Sequence, residues 1–155
     1  MMRRVPLAVA ATVLAAPVLA GCAHPLVVEA AEYAADPDCA EVMLAVPDAV
    51  GGLEVRGTTS QATQAWGKEY EIVARCGVEP PGPTTEQCVT VDTPAATVDW
   101  LVSERGDAWV GVTFGRSPAV ELTVPKVRAD EAVGDVLAEL SPAAGRAPAN
   151  GLECS

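Results

Sequence analysis

Five cysteines and one histidine bound the chemistry open to this 155-residue chain: Cys22, Cys39, Cys76, Cys88, Cys154 and His24. A serine hydrolase needs an imidazole that reaches a folded site, and His24 lies two residues from Cys22, close to the N-terminus. None of Ser60, Ser103, Ser117, Ser141 and Ser155 sits in a Gly-x-Ser-x-Gly elbow. Structural zinc prefers closely spaced ligand pairs, and no Cys-x-x-Cys occurs. There is no Asp-x-Asp-x-Asp-Gly calcium loop and no phosphate-cradling glycine loop. Carboxylates are plentiful in the middle of the chain, at Glu69, Glu71, Asp92, Asp99, Glu104 and Asp107. Acid–base catalysis would need one of them raised by burial, whereas acidic solvated faces are the ordinary reason for such residues. We assign no catalytic residue, no metal and no cofactor.

The N-terminus has a different chemistry. Met1-Met2-Arg3-Arg4 is a short positive region, followed by an uncharged Ala/Val/Leu stretch from Val5 to Val18. That stretch is too short for a membrane span and suits a signal-peptide core. It ends in Leu19-Ala20-Gly21-Cys22, which resembles the lipobox of bacterial lipoproteins. Small residues let a peptidase approach the backbone, and the Cys22 thiol is the nucleophile that takes up a diacylglyceryl group. The resemblance implies cleavage before Cys22. Residues 1–21 are then a signal peptide, and 22–35 are a lipidated cysteine and tether in which Leu26-Val27-Val28 offers an edge strand. Two acyl chains anchor a protein stably, each buried methylene contributing about 0.8 kcal/mol.

With Cys22 used by lipid, an even set remains, as expected of an oxidising compartment. Cys39, Cys76, Cys88 and Cys154 allow three pairings, of which Cys39–Cys76 with Cys88–Cys154 is preferred. Each pair closes a loop of dozens of residues, worth roughly 4 kcal/mol in the chain-entropy account.

The elements that must position these cysteines are legible in part. Asp36-Pro37 is a helix start, with Asp at the cap and Pro at the first turn. Cys39, Val42, Met43 and Val46 then recur on one apolar face until Pro47 and Gly51-Gly52 end the helix. Ile72, Ala74 and Cys76 alternate with polar neighbours, so Cys76 faces inward on a strand. A proline-rich loop follows from Gly77 to Pro83. Further strands are expected at 89–92, 98–103, 108–114 and 120–124, with Arg105-Gly106-Asp107 read as a hairpin turn. Asp130 and Glu131 open a second helix, whose stripe is Val133, Val136, Leu137 and Leu140 and whose stop is Ser141-Pro142. The Ala/Pro/Gly tail is loose unless Cys154 ties it down. The order predicts one α+β domain over residues 36–155, an antiparallel sheet packed by an N-terminal and a C-terminal helix and stabilised by disulfides.

Asp36-Pro37-Asp38-Cys39-Ala40, Ala65-Trp66-Gly67, Arg75-Cys76-Gly77-Val78, Val98-Asp99-Trp100 and Val120-Glu121-Leu122-Thr123-Val124-Pro125 run in a set order along the chain. In this the chain resembles the actinobacterial domain of unknown function 3515 family. The resemblance implies a small envelope protein, often lipidated, and carries over no catalytic residue. The family turn before Val98-Asp99-Trp100 is tighter than Ala95-Ala96-Thr97, which predicts a looser loop here.

Charge excludes some partners. The chain carries a formal net charge of −11, and loss of Arg3 and Arg4 with the leader makes it −13. Nucleic-acid binding needs clustered Lys and Arg, so no nucleic-acid partner is expected. The scarcity of Lys, Ile, Asn and Phe suggests a GC-rich bacterial gene. Trp66, Trp100 and Trp109 are read mainly as core anchors. Trp66, in the polar stretch Gln64-Ala65-Trp66-Gly67-Lys68, is the candidate binding residue. The expected protein is a non-enzymatic lipoprotein of the cell membrane, anchored on its extracytoplasmic face through Cys22, that binds an envelope protein or wall component. A small carboxylate enzyme is the alternative. Replacing Cys22 by Ala should shift the protein from membrane to soluble fraction or leave it unprocessed. Retention of membrane association and mature size, on fractionation and intact-mass measurement, would refute the lipobox.

Overall fold

Alternation of apolar and polar residues dominates positions 49–125, and eight strands form there. The computed structural model describes residues 24–129 and 133–154. The leader, Cys22, and the helix-opening Asp130 and Glu131 lie outside the described residues. The strands are β1 (Ala49–Val50), β2 (Leu53–Arg56), β3 (Thr63–Trp66), β4 (Ile72–Val78), β5 (Cys88–Asp92), β6 (Thr97–Arg105), β7 (Ala108–Phe114) and β8 (Ala119–Pro125). They make one antiparallel sheet in the order β1-β2-β3-β4-β8-β7-β6-β5. After β4 the proline-rich connection carries the chain to the far edge, and the meander β5 to β8 returns to pair with β4.

Helix α1 (Pro37–Ala45) starts as its residues require: the Asp36 carboxylate accepts the Asp38 amide at 2.9 Å, and Pro37 fills the first turn. It packs with α2 (Val133–Ala144) on one face of the sheet. The core between them holds Cys39, Val42, Trp66, Ile72, Ala74, Cys76, Trp100, Leu122, Leu137 and Leu140. Cys39–Cys76 joins α1 to β4, with both residues within 1% of full burial. The preferred pairing is thus the one present, Cys88–Cys154 being the second bridge.

Three expectations need correction. Helix α2 does not stop at Ser141-Pro142 but runs to Ala144. Proline removes one donor and crowds the preceding turn, yet here only the last helical turn is affected, and Ala143 and Ala144 remain fully buried. Ser141 meanwhile caps the indole of Trp100, whose Nε1 donates to its Oγ at 3.1 Å. The Ala95–Thr97 turn is tight: the Thr93 amide and Oγ1 both donate to the Ala96 carbonyl, and Oγ1 accepts the Ala96 amide. Gly51-Gly52 closes a two-residue hairpin between β1 and β2, both glycines having positive φ, instead of ending α1.

Residues 24–35, read from the sequence as a tether in which Leu26-Val27-Val28 offered an edge strand, are docked along the sheet. Leu26 bridges Thr58, the Arg56 guanidinium donates to the His24 carbonyl, and the Tyr33 amide donates to the Gly77 carbonyl at 2.8 Å. Gly77 sits at a register shift in β4 with φ +93, and a Cβ there would overlap the Tyr33 carbonyl and the Ala34 nitrogen. Gly77→Ala therefore imposes backbone strain and a steric clash together, and should lower unfolding free energy by about 2 kcal/mol or more. Denaturant titration of the full chain measures this; a loss within ~0.5 kcal/mol, the range of ordinary surface substitutions, would contradict it.

Candidate functional site

Side chains alternate across the pleat, so the two disulfides fall on opposite faces of the sheet. Cys76 faces the helices. The register aligns its neighbour Arg75 with Glu121, Val112, Leu101 and Cys88 across five strands of the other face. Among the described residues that second face bears no helix. Its β5–β7 end is crossed by the C-terminal strap, residues 148–154.

Two cavities flank the strap. One, of about 430 Å³, is lined by Thr90, Thr97, Asp99, Phe114 and Arg116. The other, of about 560 Å³, lies between the Pro83–Gln87 loop, Leu101 and Phe114. Phe114, Leu152, Glu153 and Cys154 border both, so the strap is the wall between them. Gly115 permits this: Leu152 lies directly on its Cα, where any Cβ would overlap the Leu152 carbonyl oxygen. The tail is tied down as the pairing of Cys154 required.

Two charged groups of the cleft, Arg116 and Asp99, are committed to building it. Arg116 donates to the carbonyls of Gly145, Ala147 and Thr97 at 3.2, 2.9 and 3.1 Å. Asp99 accepts the Thr90 hydroxyl and the Cys154 amide, both at 2.7 Å. Cys88, Asp99 and Cys154 bring their ligand atoms within 4.8 Å of one another, but the sulfurs are bonded to each other and have no free thiolate to offer a metal. Asp92 accepts from Thr97, Glu104 pairs with Lys126, and Glu71 pairs with Arg56.

Glu121, a carboxylate the sequence reading did not single out, is the buried one. Its Oε1 takes two hydrogen bonds from Arg75, at 3.0 and 2.7 Å, and its Oε2 lies 3.7 Å from Arg105. Alternation along β8 was its only available signal, and it points Glu121 to the helix-free face. Trp66, the expected binding residue, is a correction. It is 0% exposed, and its Nε1 donates to the Pro47 carbonyl at 2.9 Å. Its polar neighbour Gln64 belongs to β3 and Lys68 lies just past the strand's end, so burial of one face outweighs local polarity. Trp100 is likewise in the core.

The architecture is a small α+β domain with an eight-stranded antiparallel sheet, two helices and two disulfides. The chain belongs to the family described as "Protein of unknown function (DUF3515)", whose family model matches residues 4–149. No curated protein and no solved structure matches it significantly.

A smaller cavity of about 280 Å³ lies on the far side of β8's start, between Tyr33, Asp36, Glu79, Pro80 and the cis Ser117–Pro118 bond. There the Tyr33 phenol donates to Glu79, and that bond holds its pKa above 10.0, helped by the charges of Glu32 and Glu79. The protonated phenol is thus favoured by folding. Its contribution is complete below the ordinary value and is lost as pH rises through the raised one. Ultraviolet titration in a Tyr70→Phe background should show Tyr33 ionising at lower pH in Glu79→Gln than with Glu79 present. Coincident curves would remove the hydrogen bond as cause.

Proposed function

We propose that this protein is a lipid-anchored module on the extracytoplasmic face of the cell membrane, that it binds an envelope protein or wall component at the strap cleft, and that it performs no catalysis. The observation that carries the reading is the cysteine balance. With Cys39–Cys76 and Cys88–Cys154 formed, the fifth cysteine is Cys22, the residue at the end of Leu19-Ala20-Gly21-Cys22. Two disulfides accord with an oxidising compartment, where that thiol would meet lipid-transfer enzymes.

Other features support the same reading. The family match starts at residue 4 and so takes in the leader as well as the folded body. His24, two residues beyond Cys22, is held by Arg56 on the sheet. A lipid at Cys22 would therefore keep the body close to the bilayer. Arg116 and Asp99 are engaged in holding the strap, which suits a preformed recognition surface.

In-cell photocrosslinking tests the binding site. A photoreactive residue at Glu153, exposed on the strap, should yield one dominant adduct, with an envelope protein or wall material. The same residue at Leu44, 84% exposed on α1, should not. Equal or no adducts from both positions would reject the cleft as the binding surface.

A further inference from the structure

The two disulfides differ in what they hold and in what can reach them. Cys39–Cys76 is sealed in the core between α1 and β4. Cys88 and Cys154 are half-buried and border both cavities through Cys154. Before Asn150 the tail is well tied: Arg116 grips the Gly145 and Ala147 carbonyls, the Ser117 amide donates to Pro148, and the Asn150 amide donates to Gly115. Beyond Gly151, which has a positive φ of 90°, the strap makes one hydrogen bond to the body among the described residues. That bond runs from the Cys154 amide to Asp99. Leu152 packs on Gly115, and the disulfide is the segment's one covalent tie to the sheet.

We propose that Cys88–Cys154 is a thiol–disulfide exchange site, opened by a dithiol, whose reduction releases the strap beyond Gly151 and joins the two cavities into one groove over Leu101 and Phe114. A thiolate of the dithiol attacks one sulfur; the Sγ–Sγ bond breaks and the other cysteine leaves as a thiolate that takes a proton from water. The second thiol of the dithiol then attacks the mixed disulfide. Cys88 and Cys154 end as thiols and the dithiol as a disulfide, with two electrons transferred. The Asp99 carboxylate, within 4.8 Å of both sulfurs, disfavours a freed thiolate at either one and so favours its capture of a proton. Cys39–Cys76 offers a dithiol no comparable approach, and the fold keeps its covalent link between α1 and β4 while the strap is open. This inference is independent of the lipid anchor and of the ligand the cleft takes.

The test treats the full chain in detergent micelles with dithiothreitol under native conditions, alkylates freed thiols over time and maps them by peptide mass spectrometry. Cys88 and Cys154 should become labelled at least about tenfold sooner than Cys39 and Cys76, because exchange follows access. Tryptophan fluorescence should stay native at that stage, and hydrogen exchange should rise in residues 152–154. Simultaneous reduction of both pairs, earlier reduction of Cys39–Cys76, or unchanged exchange in the strap would overturn the proposal. A Cys88→Ser/Cys154→Ser variant should show the same raised exchange without reductant, and a strap as protected as in the wild type would also overturn it. If that variant does not fold, the time course on the unaltered chain decides.

Discussion

The pairing of β4 with β8 is the constraint on which the rest depends. Among the described residues it is the one strand pairing between the four strands that precede the proline-rich connection and the four that follow it. Without it the sheet would be two small halves, each with too little apolar area to cover. With it, Ala74 stands beside Leu122 and Cys76 beside Val120, forming the floor on which α1 and α2 pack. One end of this seam is fixed twice, at adjacent residues. Cys76 is bonded to α1, and Gly77 admits the N-terminal segment where any other residue would collide.

The same seam carries the buried charge. Arg75 and Glu121 are direct cross-strand partners in β4 and β8. A buried carboxylate is costly unless paired and hydrogen-bonded, and its pairing rarely gives a large net gain over an apolar substitute. Its effect here is on register. A slip of one residue would send Glu121 into the helix-facing core and expose Leu122. The ion pair thus disfavours the wrong alignment more strongly than it stabilises the right one.

The opposite face is where the structure departs from a simple two-layer domain. The helices cover one side, and two irregular segments lie across the other: residues 24–35 near β2–β4 and the C-terminal strap near β5–β7. The first is held by backbone hydrogen bonds and two arginines, Arg56 and Arg75. The second is held by Arg116, Asp99 and a disulfide. Each tie spans more than thirty positions in sequence, so it stabilises by constraining long loops rather than by local preference.

Local chemistry made much of this legible in advance. The Asp36-Pro37 cap, the alternation in β4 and β8, the Gly106 hairpin and the apolar stripe of α2 depend on neighbours within about a turn or a pleat. The order of elements followed, and with it the fold class and the more plausible cysteine pairing. Strands β1 to β3 were not legible, because two to four residues carry too little periodicity and a Gly-Gly turn resembles a helix end. The full burial of Trp66, the continuation of α2 through Pro142, the docked N-terminal segment and the Glu121 ion pair were decided only in three dimensions. In each, partners far away in sequence supply the burial or the hydrogen bonds: Pro47 for Trp66, the sheet for α2, Gly77 for Tyr33, and Arg75 for Glu121. Residue types and their local spacing establish which segments can form which element and which cysteines are available. The tertiary structure decided which side chains are hidden and where a cleft opens, because burial is a property of assembled surfaces and not of any single segment.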